Sequence, residues 1–517
     1  MSRRTLHLCR SVFTLAIGAV AVYEATIPNG VLKVWNVAAA SGVTVTVDAG
    51  VRYQRLEGFG QAIDFPLPWL TDSVRAVAVE KAYHQVGINM GTIGGLLESP
   101  AGYDQRQNDN DDPFTIDWKG FNADGLNLMK RNVVDLAKPF GFTGYFLGAE
   151  GPNVRWHSPW LAAIRDRNYD RFLDEAAEQV LANVSYWKNT YGEELQYYQL
   201  GNEQQSGNQA SKNPDADGFG KVNATQQIVD LVKRAGARLR ASGFSRTRFV
   251  VGTEETEEWS YFVADAIMAD KKAAQYVGAI AYHSYPYHRG YSSVPFILST
   301  SGAGKPDAGR IGIRHRIRDL AKAHKVGAWI TENSNAGSSF SYDTFRARAI
   351  QIHDEFLYAN VSAYFGESAI WDEVSQQKHF GTTDLDDSEG NVVLVHNASG
   401  TVDISGIGYA IGHYARWAKP GSVRVEAQSS ERLVEVTAFR DDAEGRLVLV
   451  LINNADEPEA VTVSIKGVDL TGTWEGEQST PADYWSPIPS FASDDAAILH
   501  ISLPATSVAS LAGKVTN

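Results

Sequence analysis

Cysteine is almost absent from this sequence of 517 residues, and its single example, Cys9, lies in a segment typical of a targeting peptide. Three arginines lead into an uncharged run over residues 11–23, and the Ala-Val-Ala at residues 19–21 suits a signal peptidase. We expect residues 1–21 to be a signal peptide and the mature protein to be secreted or periplasmic; an ordinary buried helix or strand is the alternative. The mature chain would then have no cysteine, which excludes disulfide bonds and thiol catalysis.

Basic residues are also scarce, with 47 Lys and Arg against 61 Asp and Glu, which gives a formal net charge of -14. Loss of residues 1–21 removes three arginines and no acid, so the mature charge becomes -17. Phosphate backbones and anionic lipid surfaces require clustered Lys and Arg, so this composition argues against a nucleic-acid or membrane partner. The uncharged run near the amino terminus is too short to span a bilayer comfortably.

What the sequence does contain is a long alternation of short apolar runs and amphipathic stretches. The apolar runs predict strands at residues 86–93, 143–147, 196–200, 248–252, 279–282, 328–331 and 362–371. The amphipathic stretches predict helices at residues 124–138, 169–191, 224–241, 261–273, 311–323 and 342–358. Strands that alternate with helices indicate an α/β protein with a parallel sheet, and about eight units over this length favour a closed (β/α)8 TIM barrel.

The pattern changes after about residue 408. From residue 423 onward the chain has short strands separated by turns, as in the apolar run Leu447-Val-Leu-Val-Leu-Ile. This pattern is typical of an antiparallel β-sandwich. Residues before the barrel alternate with the same period of two, so we expect these N-terminal strands to join the sandwich. The predicted domains are the N-terminal strands (31–50), the catalytic barrel (51–408) and the C-terminal sandwich (409–517).

Two carboxylates are notable for their positions. Glu203 closes the run that begins at Leu195, and Glu332 closes the run that begins at Val326, each where an apolar strand turns abruptly polar. A buried barrel strand delivers a functional side chain to its carboxyl end in this way. Two carboxylates held like this indicate glycoside hydrolysis.

Five short segments follow one another along the chain: residues 53–64 (YQRLEGFGQAID), Asn202-Glu203, residues 281–285 (AYHSY), residues 329–332 (WITE) and residues 407–425. In this order they resemble motifs of glycoside hydrolase family 30, a group of retaining β-glycosidases with a β/α barrel and an attached β-sandwich. The resemblance covers nearly the whole mature chain. The chain departs from the family at Gln204, where proline is usual, so a divergent member or a neighbouring family of the same clan is the alternative.

The resemblance implies a role for each carboxylate, with Glu332 as the nucleophile and Glu203 as the acid/base of a retaining mechanism. Such a mechanism requires carboxyl groups about 5 to 5.5 Å apart. Asn202, beside the acid, is expected to donate a hydrogen bond to the sugar 2-hydroxyl. Three further acids near predicted strand ends are alternative candidates for these roles or for substrate binding, and we call them reserve acids: Glu150, Glu254 and Glu255.

Neighbouring polar residues are candidates for substrate binding. His283 and Tyr285 are two residues apart on a predicted strand, so they share one face and can orient Glu332; a hydrogen-bonded core network is the alternative. Asp64 is a candidate to hydrogen-bond sugar hydroxyls, or else to cap the helix near Trp69.

Two tryptophans are candidates for sugar stacking, because apolar sugar faces pack on aromatic rings. Trp371 ends an apolar run at the predicted eighth barrel strand, and Trp156 lies in the predicted loop after the third. For each, a buried core position is the alternative.

We therefore expect a secreted retaining β-glycosidase acting on β-linked poly- or oligosaccharides. It should need no metal or other cofactor, since no His and carboxylate cluster has ligand spacing. The substrate is open between xylan, β-1,6-glucan or galactan, and small β-glycosides, and we expect the enzyme to be a monomer. A catalytically inactive carbohydrate-binding barrel is the alternative function. A disordered or structural surface protein conflicts with the 12 tryptophans and the dense apolar pattern.

Overall fold

The structure is a computed structural model that describes residues 26–27, 30–31, 42–63, 67–93, 102–103, 110–147, 161, 163–164, 167–202, 224–254, 256–284, 308–333, 338–388, 390–493 and 497–516. Within these residues the chain forms a closed parallel barrel and a second, mainly antiparallel sheet. None of the helices in the described ranges is long and apolar enough to cross a membrane.

The first long strand, β1 (Val43–Arg55), belongs to the second sheet, and the barrel strands follow it in chain order. They are β2 (Gly58–Ile63), β3 (Met90–Ile93), β4 (Thr143–Leu147), β5 (Tyr197–Gln199), β6 (Arg248–Gly252), β7 (Val277–His283), β8 (Gly327–Glu332) and β9 (Ala363–Ser368). Each strand pairs in parallel with the next, and β9 pairs with β2, so the eight described strands close on themselves.

Helices connect the barrel strands and cover the outside of the barrel. They are α1 (Asp72–Val79), α2 (Asp124–Met129), α3 (Tyr169–Tyr191), α4 (Ala224–Ala241), α5 (Glu257–Ala269), α6 (Lys271–Ala274), α7 (Ala308–His324) and α8 (Tyr342–Asp354). Three of them continue as π-helical turns, at Glu80–Gln85, Lys130–Val134 and Glu355–Ala359. The predicted helices at 169–191 and 224–241 have the bounds observed for α3 and α4.

A small sheet follows the barrel before the chain enters the second domain. Its strands are β10 (Ile370–Asp372), β11 (Val393–His396) and β12 (Thr401–Ile404), with α9 (Glu373–Phe380) between the first two and α10 (Gly406–Ala415) after the third. Two short strand pairs, Thr26–Ile27 with Gly30–Val31 and Gly102–Tyr103 with Phe121–Asn122, complete the described minor sheets.

The second domain contains β13 (Val423–Ser429), β14 (Val434–Asp441), β15 (Arg446–Asn453), β16 (Glu459–Lys466), β17 (Asp469–Thr480), β18 (Asp483–Ala492), β19 (Ile498–Leu503) and β20 (Ser507–Thr516). With β1 they form one nine-stranded sheet of the described chain, in the order β18-β17-β20-β15-β14-β13-β1-β16-β19. Strands near both ends of this order share one apolar core, so the sheet closes over it in two layers. This is the predicted sandwich.

Strand β1 joins the amino-terminal end of the chain to this domain. It pairs antiparallel with β13 and parallel with β16. Val43, Val45 and Val47 are buried while Thr44 and Thr46 are exposed, which is the period of two expected of a strand with one buried face. The predicted fold class, a TIM barrel with an attached sandwich that includes N-terminal strands, is therefore confirmed. The strand extends to Arg55, beyond the predicted limit of 50.

Two strand predictions need correction. The strand predicted at 86–93 begins only at Met90, because Val86 caps the π-helical turn that follows α1 and Gly87, with φ of 85°, turns the chain before the strand. The strand predicted at 362–371 is two strands, since β9 ends at Ser368 and β10 pairs with β11 in the small sheet instead of the barrel.

The barrel interior is filled by side chains. An aromatic group of Tyr145, Tyr197, Trp329 and Phe365 packs edge-to-face or tilted, with ring centroids 4.6 to 6.0 Å apart. Beneath it, the carboxylate of Glu57 accepts hydrogen bonds from the Tyr197 hydroxyl at 3.0 Å, the Trp329 indole at 3.2 Å and the Ser362 hydroxyl at 3.0 Å. This partly buried acid lies at the amino-terminal end of the barrel.

The first prediction concerns that acid. Burial raises the pKa of the Glu57 carboxyl above its ordinary value of 4.5, while its three hydrogen bonds act in the opposite direction. Because the pKa of Glu57 is higher in the folded state, the folded chain binds more protons than the unfolded chain. The stabilisation that Glu57 contributes is therefore full below pH 4.5 and is lost as the pH rises through the folded-state pKa. Urea unfolding of the wild type and Glu57→Gln, measured from pH 4 upward, should show the wild type's relative stability falling with pH. A difference that stays constant or grows would contradict this.

Candidate active site

Two of the predicted site residues lie at the ends of adjacent barrel strands. His283 is the last residue of β7, and Glu332 is the last residue of β8. The carboxyl ends of parallel barrel strands form one face, where enzymes of this fold have their active sites. The two residues are also direct partners in the pairing of the two strands.

This partnership depends on an irregularity in the pairing. Tyr282 lies opposite Ile330, but the next residue, His283, lies opposite Glu332 and skips Thr331. Such a bulge adds one residue to one strand and reverses which face its following side chains occupy. His283 is two residues beyond the interior residue Ala281, so it stays on the interior face, and the bulge brings Glu332 to the same side.

The side chains of His283 and Glu332 are close together. The His283 Nε2 atom lies 3.6 Å from the Glu332 Oε2 atom. His283 is fully buried, whereas Glu332 keeps 9% of its surface exposed. The Glu332 carboxylate thus lies beside an imidazole and is nearly, but not fully, enclosed.

Asn202 lies just beyond β5. Its Oδ1 atom accepts a hydrogen bond from Gln199 Nε2 at 3.1 Å, and the same nitrogen donates to the Gly201 carbonyl at 3.1 Å. The Thr253 hydroxyl also donates to that carbonyl, at 2.8 Å. The turn that presents Asn202 is thus anchored to its own strand and to the end of β6.

The end of β6 is a tight turn held against β7. Gly252 has φ of 106° and Thr253 has φ of 42°, conformations that L side chains rarely adopt. The Thr253 amide donates to the Ala281 carbonyl at 3.1 Å, and the His283 amide donates to the Glu254 carbonyl at 3.3 Å. Glu254, a reserve acid, is buried, with its backbone amide bonded to Ser260 Oγ at 3.0 Å.

Trp371 is not part of the barrel wall. The sequence placed it at the end of the eighth barrel strand, but it lies in β10 of the small sheet, after β9 has ended. Only 6% of it is exposed, its indole Nε1 donates to Gln376 Oε1 at 2.7 Å, and its ring lies 6.1 Å from that of Phe380. Trp371 is therefore a buried core tryptophan, which was the alternative to a sugar-stacking role.

Several predicted residues lie outside the described ranges. These are the candidate acid/base Glu203, the candidate binding residues Asp64, Trp156 and Tyr285, and the reserve acids Glu150 and Glu255. Across the described part of the chain, no group of three or more His, Cys, Asp or Glu residues is arranged to hold a metal ion.

Sequence reasoning missed the residues that hold the strand ends in place. Gln199 and Thr253 bind backbone carbonyls, and the bulge at Thr331 turns Glu332 inward. The dipeptide Gly252-Thr253 after an apolar run was the available signal, because a glycine there permits a left-handed turn.

The second domain is recognised by sequence. Residues 421–511 match the model of the glycosyl hydrolase family 30 beta sandwich domain. This match confirms the predicted resemblance to glycoside hydrolase family 30 for the sandwich domain, and the barrel with its attached sandwich has the architecture that the resemblance implied. No curated protein sequence matches the chain.

Solved structures share the whole architecture. A family 30 endoxylanase from Clostridium papyrosolvens has a TM-score of 0.62 at 16% identity, over 91% of this chain and 100% of the other. The catalytic domain of xylanase C from Talaromyces cellulolyticus has a TM-score of 0.60 at 17% identity, over 92% and 100%. An endo-β1,6-glucanase has a TM-score of 0.57 at 16% identity, over 91% and 94%. At such identities the likeness establishes the fold.

The second prediction tests the turn that ends β6. A Cβ atom at Gly252 would lie 2.2 Å from the Ala281 carbonyl oxygen, in addition to the backbone strain of a positive φ. Gly252→Ala should therefore lower the free energy of unfolding by about 3 kcal/mol or more. Gly243→Ala is the matched control: its φ is also positive, 85°, but a Cβ there has nothing within 4 Å. It should cost about 1 kcal/mol. If urea unfolding showed the same loss of unfolding free energy in both variants, the close approach of Gly252 to the Ala281 carbonyl in β7 would not matter for stability.

Proposed function

We propose that this protein is a retaining β-glycosidase in which Glu332 is the nucleophile and Glu203 the acid/base. The observation that carries the proposal is the contact of Glu332 with the buried His283, 3.6 Å apart at the carboxyl end of the barrel. Carboxylates at strand ends on this face are where barrel enzymes do their chemistry.

The reaction proceeds in two displacements. Glu332 attacks the anomeric carbon and forms a covalent glycosyl-enzyme, while Glu203 protonates the departing oxygen. Glu203 then removes a proton from water, which attacks the same carbon and releases Glu332. Because each step inverts the centre, the product retains the β configuration.

His283 and Asn202 support this chemistry. An N–H at His283 Nε2 stabilises negative charge on Glu332, and the 3.6 Å separation shortens when substrate binds, as apo-enzyme contacts commonly do. Asn202 has its Oδ1 engaged by Gln199, which orients its Nδ2 as the donor towards the sugar 2-hydroxyl. That hydrogen bond strengthens as positive charge develops at the anomeric carbon.

For the substrate we propose β-linked poly- or oligosaccharides: xylan, β-1,6-glucan or galactan, or small β-glycosides. The names of the similar structures, two xylanases and an endo-β1,6-glucanase, support xylan and β-1,6-glucan among these substrates. We further propose that residues 1–21 are a signal peptide, that the enzyme acts outside the cytoplasm as a monomer, and that neither nucleic acid nor a membrane is its partner.

The third prediction tests the nucleophile. Glu332→Gln keeps the shape of the side chain but cannot attack, so kcat should fall by about 10⁴-fold or more. The free energy of unfolding should change by no more than about 1 kcal/mol, because the side chain is at a partly open edge. Activity is measured on soluble xylan, β-1,6-glucan, galactan and nitrophenyl β-glycosides by product chromatography.

Glu254→Gln is the comparison variant, since Glu254 is a second buried acid near a strand end. Loss of activity in Glu254→Gln with retention in Glu332→Gln would reassign the nucleophile. If the wild type turns over none of the substrates yet binds the same sugars by calorimetry, the inactive carbohydrate-binding protein is the correct interpretation.

A further inference from the structure

Ser284 lies directly behind the two strand ends of the candidate active site. It follows His283 in sequence and is fully buried. Its backbone amide donates a hydrogen bond to the Glu332 carbonyl oxygen at 3.2 Å. Any displacement of Ser284 therefore moves the main chain of Glu332.

The hydroxyl group of Ser284 is saturated with partners. It donates to Glu355 Oε1 at 2.9 Å, and it accepts from Arg314 Nη2 at 3.2 Å and from Arg310 Nη2 at 3.3 Å. A hydroxyl has one hydrogen to donate and two lone pairs to accept with, so all three positions are used. Each bond has a different partner, and together they fix the serine in three directions.

The partners form a buried cluster, the Ser284 network, of Ser284, Arg310, Arg314, Glu257 and Glu355. Arg314 pairs with Glu355, and both side chains are fully buried. Arg310 bonds Glu257 at 2.6 and 3.1 Å, and Arg314 lies 3.7 Å from the same carboxylate. Two guanidinium groups thus face two carboxyl groups within the network.

The network joins three helices to the strand ends. Glu257 opens α5, Arg310 and Arg314 lie on α7, and Glu355 begins the π-helical turn after α8. Burying charged groups costs desolvation energy that apolar residues of similar volume would avoid. What the ions provide here is a fixed geometry, because each guanidinium and carboxylate accepts only a few orientations of its partner.

We propose that Ser284 is a positioning residue for Glu332 and that the Ser284 network sets the location of the nucleophile at the end of β8. This inference rests on the proposed function of Glu332. The network reaches Glu332 through the hydrogen bond from the Ser284 amide to the main-chain carbonyl of Glu332, so its effect is on where the carboxylate lies.

The fourth prediction compares Ser284→Ala with Ser405→Ala. Ser405 is also fully buried, and its hydroxyl caps α10 and bonds the Asn391 carbonyl, away from β7 and β8. Loss of the Ser284 hydroxyl should lower kcat by about 10- to 100-fold with KM within about twofold, because misplacement of a reacting group by about 1 Å has effects of this size. Ser405→Ala should lower the melting temperature and leave kcat per folded molecule unchanged. A normal kcat in folded Ser284→Ala would overturn the proposal.

Crystal structures of the same variants supply a readout that does not need activity. Ser284→Ala should move the Glu332 carboxylate away from His283, lengthening the 3.6 Å separation, while Ser405→Ala should not. An unmoved carboxylate would overturn the proposal even if the wild type proved inactive on every sugar. Inactivity of the wild type with a displaced carboxylate would instead refute the proposed function alone.

A second pair of variants covers the case in which Ser284→Ala does not fold. Arg310 is at the edge of the network with 16% of its side chain exposed, and Arg310→Ala removes one bond to Ser284 while Arg314 stays near Glu257. It should lower kcat by about threefold to tenfold, whereas Arg316→Ala on the exposed side of the same helix should not. Equal kcat values in these two variants would contradict the network's role.

Discussion

At the carboxyl ends of β7 and β8, His283 lies opposite Glu332, although regular pairing would set it opposite Thr331. This one-residue bulge is the constraint on which the candidate site depends. Without it, the side chain of Glu332 would occupy the face that packs against the helices, where Tyr282 and Ile330 lie. With it, the carboxylate joins the imidazole on the interior side.

The rest of the barrel holds the paired ends of β7 and β8 in place. Packed aromatic rings fill the interior, and Glu57, at the amino-terminal end, bonds to three strands or their flanks. On one side, the turn at Gly252 and Thr253 is bonded to β7. On the outer side, the hydroxyl groups of Tyr282 in β7 and of Ser284 just after it bond Glu355, which is part of the buried ion pairs with α5 and α7. A nucleophile must be held within a fraction of an ångström, and these contacts are of the kind that achieve this.

The parts of the fold that follow from local patterns were predictable from the sequence. Helix α3 has an apolar stripe, the N-cap Asn168 and a C-cap at Gly192, and its bounds were predicted as observed. Strand β16 alternates between buried and more exposed residues, whereas β15 is a continuous buried apolar run, and both patterns are typical of strands. Strand β18 contains Pro487 and Pro489, which argue against a strand when the sequence is considered alone, yet at the edge of a sheet proline is tolerated.

The site was only partly predictable, for a different reason. That Glu332 ends a strand is visible in the sequence, but a bulge is a property of two paired strands and leaves no local trace. Trp371 illustrates the same limit: Gly366-Glu367-Ser368 interrupt the apolar run through residues 362–371, but the sequence does not show that the strand after them leaves the barrel. Only the pairing of β10 with β11 reveals this. The Ser284 network, drawn from three helices, was likewise beyond any local pattern.

The claim at the centre of this account is that Glu332 becomes covalently bonded to the sugar. Its most direct test is to inactivate the protein with an activated 2-deoxy-2-fluoro-β-glycoside of the sugar it hydrolyses, and to map the modified peptide by mass spectrometry. The account predicts one equivalent of fluorosugar on Glu332. A label on another acid, such as Glu254, or an active enzyme that produces the α anomer and is never labelled, would contradict it.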